Sequence, residues 1–598
     1  MDDHKSEDQH LVAAAQHILK ALAASKAVSD DLRKTLLDFD IHLSAMSIVE
    51  RSIKQLERKI KFAEGKIMTW KAKNSMIWDC GSKESSEYLE AVSEIQAAVH
   101  NLQSLNEHDK ELLGRANGIL QVAMAKLEEE LVHILVKHKQ YLEPESFANE
   151  AGSVDLVNPA LIPDLKSIAN VMFGSKYHQE FCQTFISSRR DALDEFFVVL
   201  EIERFSNENV MKMEGNCLNR EIKKWIRAVK IVFQVYLVAE KRLCKQILGD
   251  FNDSVYQFCF AEITLSFVLK LLNFGEAVAM GNRSPEKLFC FLDIYEVLEN
   301  LAVYVDILFF EEFGSFVRDE FHKLLNKFGE ASKFTFLAFK NAIANDPSKA
   351  RFPGGGVHHL TKYVMNFIKT LAEYGEALNL LLADETPADP EGNDDDDSHP
   401  LAGEFWSVAA TLESNLISKS KLYKDVALQH VFMMNNIHYM VQKAKSSELS
   451  LVFGDRWLRR HVAKFRDNAR SYERVTWGPI LSILKQENAE LNCTSSKENL
   501  KKKCKDFNAS FSETYRSQTG WYIPDTELRE DVQISISQKV AHAYRQFTGR
   551  YSSTIDEKWK KHTVDDIENY VLDLFVGSPK SLHYFSSSAQ ILKRDKSV

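Results

Sequence analysis

The sequence predicts an all-α protein, an elongated rod of consecutive short helical bundles with an N-terminal coiled coil. Proline and glycine, at 12 and 23 of 598 residues, are sparse, whereas strand-rich folds need turn residues every ~8 to 12 positions. Apolar residues recur three and four positions apart through most of the chain, which is the spacing of one helix face. A chain of this length exceeds a single hydrophobic core, so several packed units are expected.

Residues 1–140 are predicted to form a helical assembly region that contains the coiled coil. Its apolar seam alternates by three and four residues, and a seam of this kind needs a partner helix. Two partners fit the sequence: a helix of another protein, or a second apolar stripe of this chain at residues 112–134. The seam consists of Met46, Val49, Ile53, Leu56, Ile60, Ala63, Ile67 and Trp70.

Changes in composition divide the rest of the chain. Pro144, Pro159 and Pro163 interrupt any continuous helix and predict a hinge. The run from Asp394 to Asp397 lacks the alternating ligands of a calcium loop, so it indicates a disordered acidic linker. The predicted regions are a hinge linker 141–165, the first rod bundles 166–345, a loop and connecting helix 346–383, the acidic disordered linker 384–402, a central helical bundle 403–490 and a C-terminal basic helical bundle 491–598.

A helical hairpin is predicted between Asp425 and Leu484. Its first helix is apolar on nearly all sides, which is typical of a helix inside a bundle. Gly454 and Asp455 break the pattern before a second, amphipathic helix. The predicted apolar stripe of that second helix is Leu458, Val462, Phe465, Ala469 and Tyr472, and its arginines away from the stripe are Arg459, Arg466, Arg470 and Arg474.

Catalytic, cofactor and metal-binding motifs are absent from the sequence. The eight cysteines form no Cys-x-x-Cys pair, and they are read as reduced, mostly buried thiols of a cytosolic protein. His358 and His359 follow a triple glycine, but the lysine-serine of a phosphate loop and further metal ligands are missing. We therefore expect a loop and a helix start there, and a protein without enzymatic activity or cofactor.

The N-terminal residues and the hydropathy pattern predict a cytoplasmic protein. The first ten residues are acidic, unlike the start of a signal peptide. No uninterrupted apolar run approaches the ~18 residues that span a bilayer. Any contact with a membrane is therefore expected to be peripheral.

Positive charge is concentrated in the last quarter of the chain. Residues 451–598 hold 25 basic and 19 acidic residues, a net charge of +6, which leaves −16 for the first 450 residues of a chain whose total is −10. This distribution favours one anionic partner surface, and no nucleic-acid-binding fold is recognised. The basic candidates are Lys558, Lys560 and Lys561, just before a helix that starts near Thr563, and Lys593, Arg594 and Lys596 in the tail.

The alternative for the first three lysines is an ordinary solvated loop. Free backbone amides at a helix start favour anions, and nearby lysines would add to that effect. Asp565 and Asp566 lie in the same first turn and oppose it.

Several long segments resemble one protein family. They are LQHVFMMNNIHYMVQK from Leu428, SYERVTWGPILSIL from Ser471, KLFCFLDIYEVLENL from Lys287, GGGVHHLTKYVMNFIKTLAEY from Gly354, QTGWYIPDTELREDVQISISQKV from Gln518 and AYRQFTGRY from Ala543. The chain is similar through them to the seventy-kilodalton subunit of the exocyst, the complex that tethers secretory vesicles to the plasma membrane. The similarity runs from about Val154 to Phe575 and is closest to plant members.

The resemblance implies functions that the residues alone do not. Exocyst subunits pair through N-terminal coiled coils, which favours an intermolecular partner for the predicted seam. The family's lysines that contact phosphatidylinositol bisphosphate correspond to Lys558 and Lys561. The family also implies contacts with Rho-type small GTPases. The alternatives are a plant paralogue that acts as an adaptor in autophagy or immunity outside bulk secretion, and an enzyme, for which the sequence offers no support.

Overall fold

The computed structural model describes residues 2–25, 29–73, 75–104, 110–140, 154–202, 207–213, 215–348, 351–382, 400–445, 449–485 and 493–578. Within these ranges the chain forms helices, turns and two isolated bridges, without a strand. The predicted all-α class is confirmed. The chain divides into two compact units, which are residues 1–281 with 297–327 (unit 1) and residues 282–296 with 328–598 (unit 2).

Ten helices belong to unit 1, and a single π-helical turn, Val232–Tyr236, lies between the eighth and the ninth. They are α1 Asp2–Ala23, α2 Asp30–Ala72, α3 Ser82–Ser104, α4 Lys110–Lys137, α5 Ile162–Gly174, α6 His178–Val199, α7 Asn207–Lys212, α8 Gly215–Ile231, α9 Leu237–Leu248 and α10 Asp253–Ala279.

Two helices contribute residues to both units, and eight belong to unit 2 alone. The first two are α11 Leu288–Leu308 and α12 Ser315–Ala344. The other eight are α13 His359–Ala372, α14 Gly375–Leu382, α15 Pro400–Ser420, α16 Val426–Lys445, α17 Leu449–Leu484, α18 Cys493–Gln518, α19 Thr526–Arg550 and α20 Val564–Leu572.

Two helices begin inside regions that were predicted to be linkers. Helix α5 begins at Ile162 within the predicted hinge 141–165, with Pro163 in its first turn. Helix α15 begins at Pro400 within the predicted linker 384–402. Proline is accepted in the first helical turn because the N–H that it lacks would have no partner there. Most of both predicted linkers lies outside the described residues, and the division into regions stays a prediction.

Unit 1 contains a buried ion pair between α6 and α9. The Arg189 guanidinium donates to both carboxylate oxygens of Glu240, at 2.9 and 2.7 Å. Both side chains are fully buried, so each charge depends on the other for compensation. The pair fixes these two helices against each other.

Helix α10 is long and apolar enough to cross a bilayer by length and composition, with a mean hydropathy of 1.5 over its most apolar window. More than half of that window, 56%, is buried inside the protein. The core helices of soluble proteins have the same composition, so this helix is weak evidence for a membrane span.

The predicted hairpin of unit 2 is formed by α16 and α17. Gly454 interrupts α17 with a φ of 69°, a left-handed conformation that favours glycine. The first part of the predicted stripe of α17 is shifted by one residue, because Trp457 and His461 are buried while Leu458 and Val462 are half-buried. The predicted Tyr472 is fully buried. His461 stacks on Trp457 with ring centroids 3.8 Å apart, and the polar ring of a buried histidine is not recognised by an apolar pattern.

The predicted helix start at His358 is confirmed. The His358 side chain caps α13 by accepting from the amide of Leu360 at 3.1 Å. The preceding glycines approach other segments closely: a Cβ on Gly354, whose φ is 63°, would lie 3.0 Å from the carbonyl oxygen of Gly520. These positions therefore require glycine for packing rather than for phosphate binding.

The C-terminal bundle of unit 2 is closed by its last described residues. The amide of Phe575 donates to the carbonyl of Gln518 at 3.3 Å, and the amide of Gly577 donates to that of Trp521 at 2.8 Å. The Phe575 carbonyl in turn accepts from the amide of Ile523 at 3.2 Å. Phe575 is fully buried, so this residue after α20 belongs to the core of the bundle.

Candidate functional site

The lysine loop, residues 556–562, lies between α19 and α20 and carries three predicted site residues. Lys558 is exposed on a short 3-10 turn, Glu557–Trp559. Lys560 and Lys561 line a cleft of about 370 Å³ together with Arg545 and Thr548 of α19. The structure therefore brings Lys560 and Lys561 together with an arginine that the sequence analysis had not singled out.

The start of α20 is closed by a capping box. The Thr563 hydroxyl accepts from the amide of Asp566 at 3.0 Å, and the Asp566 carboxylate accepts from the amide of Thr563 at 2.9 Å. The backbone hydrogen bond from Thr563 lowers the pKa of Asp566, so this carboxylate keeps its negative charge. The capping box satisfies the amides of Thr563 and Asp566 and places a carboxylate in the first turn, which opposes anion binding at this helix start as the sequence indicated. The use of this helix start for anions stays a prediction.

Two aromatic side chains hold the lysine loop in place. The His562 ring is buried between Phe511, at a centroid distance of 5.8 Å, and Tyr570, at 5.5 Å. Burial lowers the pKa of His562, with the charge of Lys561 acting in the same direction and Asp566 opposing both. The imidazole is therefore a neutral anchor.

Helix α18 adds further positive charge beside the lysine loop. The Asn508 side chain donates to the carbonyl of Trp559 at 3.2 Å, which ties α18 to the loop. The Lys501 ammonium lies 6.0 Å from the centre of the Trp559 ring. Lys501 lies about two helical turns before Asn508 on α18. This spacing could have suggested that the two side chains lie on the same helix face.

The remaining basic candidates are partly neutralised or lie elsewhere. Arg470 pairs with Asp467, and Lys539 pairs with Glu473 across a second cleft of about 300 Å³ between α17 and α19. Acidic neighbours therefore offset part of the positive charge of these two helices. Lys593, Arg594 and Lys596 lie outside the described residues.

The predicted coiled-coil seam divides into two halves. Ile60 and Ile67 are only 1% exposed and are buried where α2 packs against α3 and α4. The intramolecular alternative is therefore correct for this half, and these two residues are not available to another protein. The cause is that a heptad pattern specifies an apolar face but not the helix that covers it.

The N-terminal half of the seam remains accessible. Met46 is 61% exposed, while Val49, Ile53 and Leu56 are half-buried. A second apolar stripe of α2 is even more exposed than these seam residues. Its members are separated by multiples of seven positions, and it was not predicted from the sequence. This outer stripe consists of Ile41, Ile48 and Phe62. Its seven-residue spacing was the available signal.

Within the described ranges, no three histidine, cysteine or acidic side chains gather as metal ligands. Two of the predicted features are accessible: an apolar helix face near the N-terminus and a basic surface near the C-terminus. Both are suited to binding other molecules.

Comparisons with known proteins agree over nearly the whole chain. The family model for the C-terminal part of the Exo70 subunit of the exocyst complex matches residues 223–573, and the model for the N-terminal part of exocyst complex component Exo70 matches residues 12–137. The chain is 40% identical to Exocyst complex component EXO70E2 of Arabidopsis thaliana, covering 96% of this chain and 97% of that protein. It is 30% identical to Exocyst complex component EXO70B1 of the same plant, covering 96% and 98%.

A solved structure has the same fold at much lower identity. The exocyst component Exo70p of S. cerevisiae is similar with a TM-score of 0.59 and 14% identity, covering 86% of this chain and 99% of that chain.

Proposed function

Since the chain belongs to the Exo70 family of exocyst subunits, in its plant form, we propose that it helps to tether secretory vesicles to the plasma membrane before fusion. The observation that carries this proposal is the match of both family models, at residues 12–137 and 223–573. In this role the protein acts in the cytoplasm and is recruited peripherally to the plasma membrane. It acts as a binding protein, without chemistry of its own.

Other exocyst subunits are the proposed partners of the N-terminal helices. The accessible seam residues and the outer stripe give α2 two apolar faces outside the packing with α3 and α4. Burying such residues in a helical interface contributes ~1.5 to 3 kcal/mol for each fully covered side chain. A partner helix that covers Ile41 and Ile48 would therefore bind with substantial affinity.

Anionic phosphoinositide is the proposed ligand of the C-terminal basic surface. Lys558, Lys560 and Lys561 lie on one short loop, and Lys501 adds positive charge beside it. Arg545 also lines this cleft, but its guanidinium lies 3.6 Å from the carboxylate of Glu568. At about 1 kcal/mol for each basic residue near an anionic leaflet, the three lysines contribute roughly 3 kcal/mol, or about a hundredfold in affinity. This contribution is weak for one molecule but sufficient in a complex that makes several contacts at once.

A contact with Rho-type small GTPases, and an adaptor role in autophagy or immunity, stay predictions from the family resemblance.

Affinity purification of the tagged full-length protein from plant cells, followed by mass spectrometry, tests the proposed function. Recovery of the other exocyst subunits in comparable amounts is expected. Recovery of autophagy or immunity proteins without those subunits would overturn the tethering role and favour the adaptor role.

A further inference from the structure

A separate surface in unit 1 is built from exposed apolar side chains. Seven of them surround the end of α11 and the turn that joins α11 to α12. Phe310 is 72% exposed and Ile307 is 67% exposed. Single exposed apolar residues are ordinary, whereas a group of this size marks an interaction surface. This group, the aromatic corner, comprises Phe258, Val303, Tyr304, Ile307, Phe310, Phe313 and Phe316.

The aromatic corner joins two parts of unit 1. The rings of Phe258 on α10 and Phe313 meet edge to face, with centroids 5.7 Å apart. Val303 and Ile307 lie one helical turn apart on α11 and form a ridge. The ridge and the rings together offer a surface that another helix could cover.

The backbone under the aromatic corner is held firmly. The Lys241 ammonium donates to the carbonyls of Ile307 and Leu308, at 3.0 and 2.6 Å, and so closes the end of α11. A Cβ on Gly314 would lie 2.9 Å from Phe309, which shows how tightly the turn packs on that buried ring. A surface that is already ordered loses little entropy when a partner binds.

Negative charge exceeds positive charge around the aromatic corner. Residues 297–320 contain six carboxylates and one basic residue, Arg318, whose guanidinium donates to the carbonyl of Phe310 at 3.4 Å. Asp306 contacts His322, Glu320 pairs with Lys323, and Lys241 lies near Glu311, so these groups offset part of the negative charge. Glu311 and Glu312 stand exposed between Phe310 and Phe313. An acidic border around an apolar centre attracts a partner of the opposite charge.

We propose that the aromatic corner binds a basic amphipathic helix of a partner protein. Apolar side chains of that helix, one turn apart, cover Ile307 and Phe310, and its lysines or arginines face Glu311 and Glu312. This site is distinct from the N-terminal helices and the lysine loop, and it does not depend on the tethering role.

The test uses two fluorescein-labelled peptides of about 18 residues, a length that permits helix formation. Both carry leucines at helical spacing, one with lysines and the other with glutamates at the remaining positions. Fluorescence anisotropy with the full-length protein should show the lysine peptide binding at least tenfold more tightly than the glutamate peptide. The double variant Ile307→Ser, Phe310→Ser should weaken binding of the lysine peptide at least tenfold.

Two controls make this result specific. Leu451→Ser changes an equally exposed apolar residue in unit 2 and should leave peptide binding unchanged. Glu311→Gln with Glu312→Gln should reduce the preference for the lysine peptide while the fold, checked by circular dichroism, is retained. Equal binding of the two peptides, or an equal effect of Leu451→Ser, would overturn the proposal. Self-association that Ile307→Ser, Phe310→Ser abolishes, without peptide binding, would also overturn it and identify a second copy as the occupant.

Discussion

The side-chain amide of Asn435 donates to the main-chain carbonyl of Tyr522 at 2.9 Å, although 87 positions separate the two residues. The same amide donates to the carbonyl of Gly355 at 2.8 Å. The next residue, Asn436, accepts from the amide of His358 at 2.9 Å. Two consecutive asparagines of α16 thus hold the glycine turn and the loop before α19 against one helix.

Replacing Asn435 by alanine is expected to destabilise unit 2 by about 2 to 4 kcal/mol. The buried carbonyl of Gly355 and the partly buried carbonyl of Tyr522 would lose this donor, and each buried unsatisfied group costs ~1 to 3 kcal/mol. The midpoint of thermal unfolding measures the effect. Asn569→Ala, on the exposed side of α20, is the control and should change the midpoint little. Equal midpoints for the two variants would contradict the role assigned to Asn435.

Acidification is expected to destabilise unit 2. Burial lowers the pKa of His358, His438 and His562 below the usual value of 6.5. As the pH falls below 6.5, the unfolded chain binds protons that the folded unit does not, so the free energy of unfolding decreases. The loss is at most about 1.4 kcal/mol per pH unit for each such proton. Stability is fully retained above pH 6.5.

Urea unfolding of the full-length protein between pH 7.5 and 5 checks this pH dependence. The variant His562→Gln should show a weaker dependence than the parent protein, because one of the buried histidines is gone. His359→Gln, at an exposed position next to His358, is the matched control. A dependence that is the same in both variants would show that His562 does not contribute.

Alanine at Lys558, Lys560 and Lys561 together is expected to lower affinity for vesicles with bisphosphorylated phosphoinositide by one to two orders of magnitude. This follows from about 1 kcal/mol for each lysine. Binding should also fall steeply with salt, since exposed charges are screened over about 10 Å. Vesicle sedimentation provides the measurement.

The matched control for the lipid experiment is the tail variant with alanine at Lys593, Arg594 and Lys596. If the tail variant alone lost binding, the lysine loop would be the wrong site. If both variants sedimented like the parent protein, lipid binding by this chain would have to be abandoned.

Aspartate at Ile41 and Ile48 is expected to reduce recovery of other exocyst subunits without unfolding the N-terminal helices. Both side chains are exposed on α2, so the charges are tolerated in the free protein but not under a partner helix. Ile60→Asp should instead unfold the packing of α2 with α3 and α4, because its side chain is buried. Circular dichroism with affinity purification separates the two effects. Full recovery with Ile41→Asp, Ile48→Asp would assign the partner contact to another face.

Local signals in the sequence were sufficient to predict the helices and several of the residues at which they begin or are interrupted. Thr563 caps α20 and Gly454 interrupts α17, each as predicted, because caps and breaks depend on residues within one turn. The capping box at the start of α20 also joins residues within one turn, Thr563 and Asp566, although the sequence analysis treated Asp566 only as a nearby charge.

Contacts between distant segments could not be predicted in the same way. The burial of Ile60 depends on helices α3 and α4, and the partners of Asn435 lie 80 and 87 positions away. The aromatic corner was also missed. An apolar pattern predicts which residues avoid water, but only the packed structure shows that Ile307 and Phe310 remain uncovered.

The hydrogen bonds of Phe575 have a consequence for where the chain can be shortened. The family match ends at residue 573, yet Phe575 and Gly577 bind the carbonyls of Gln518 and Trp521. A fragment that stops at Asp573 would keep every helix of the described residues and still expose the Tyr472 ring, whose centroid lies 5.6 Å from that of Phe575. Such a fragment would tend to aggregate through this newly exposed apolar surface. A fragment extended to residue 578 would keep Phe575 packed against Tyr472.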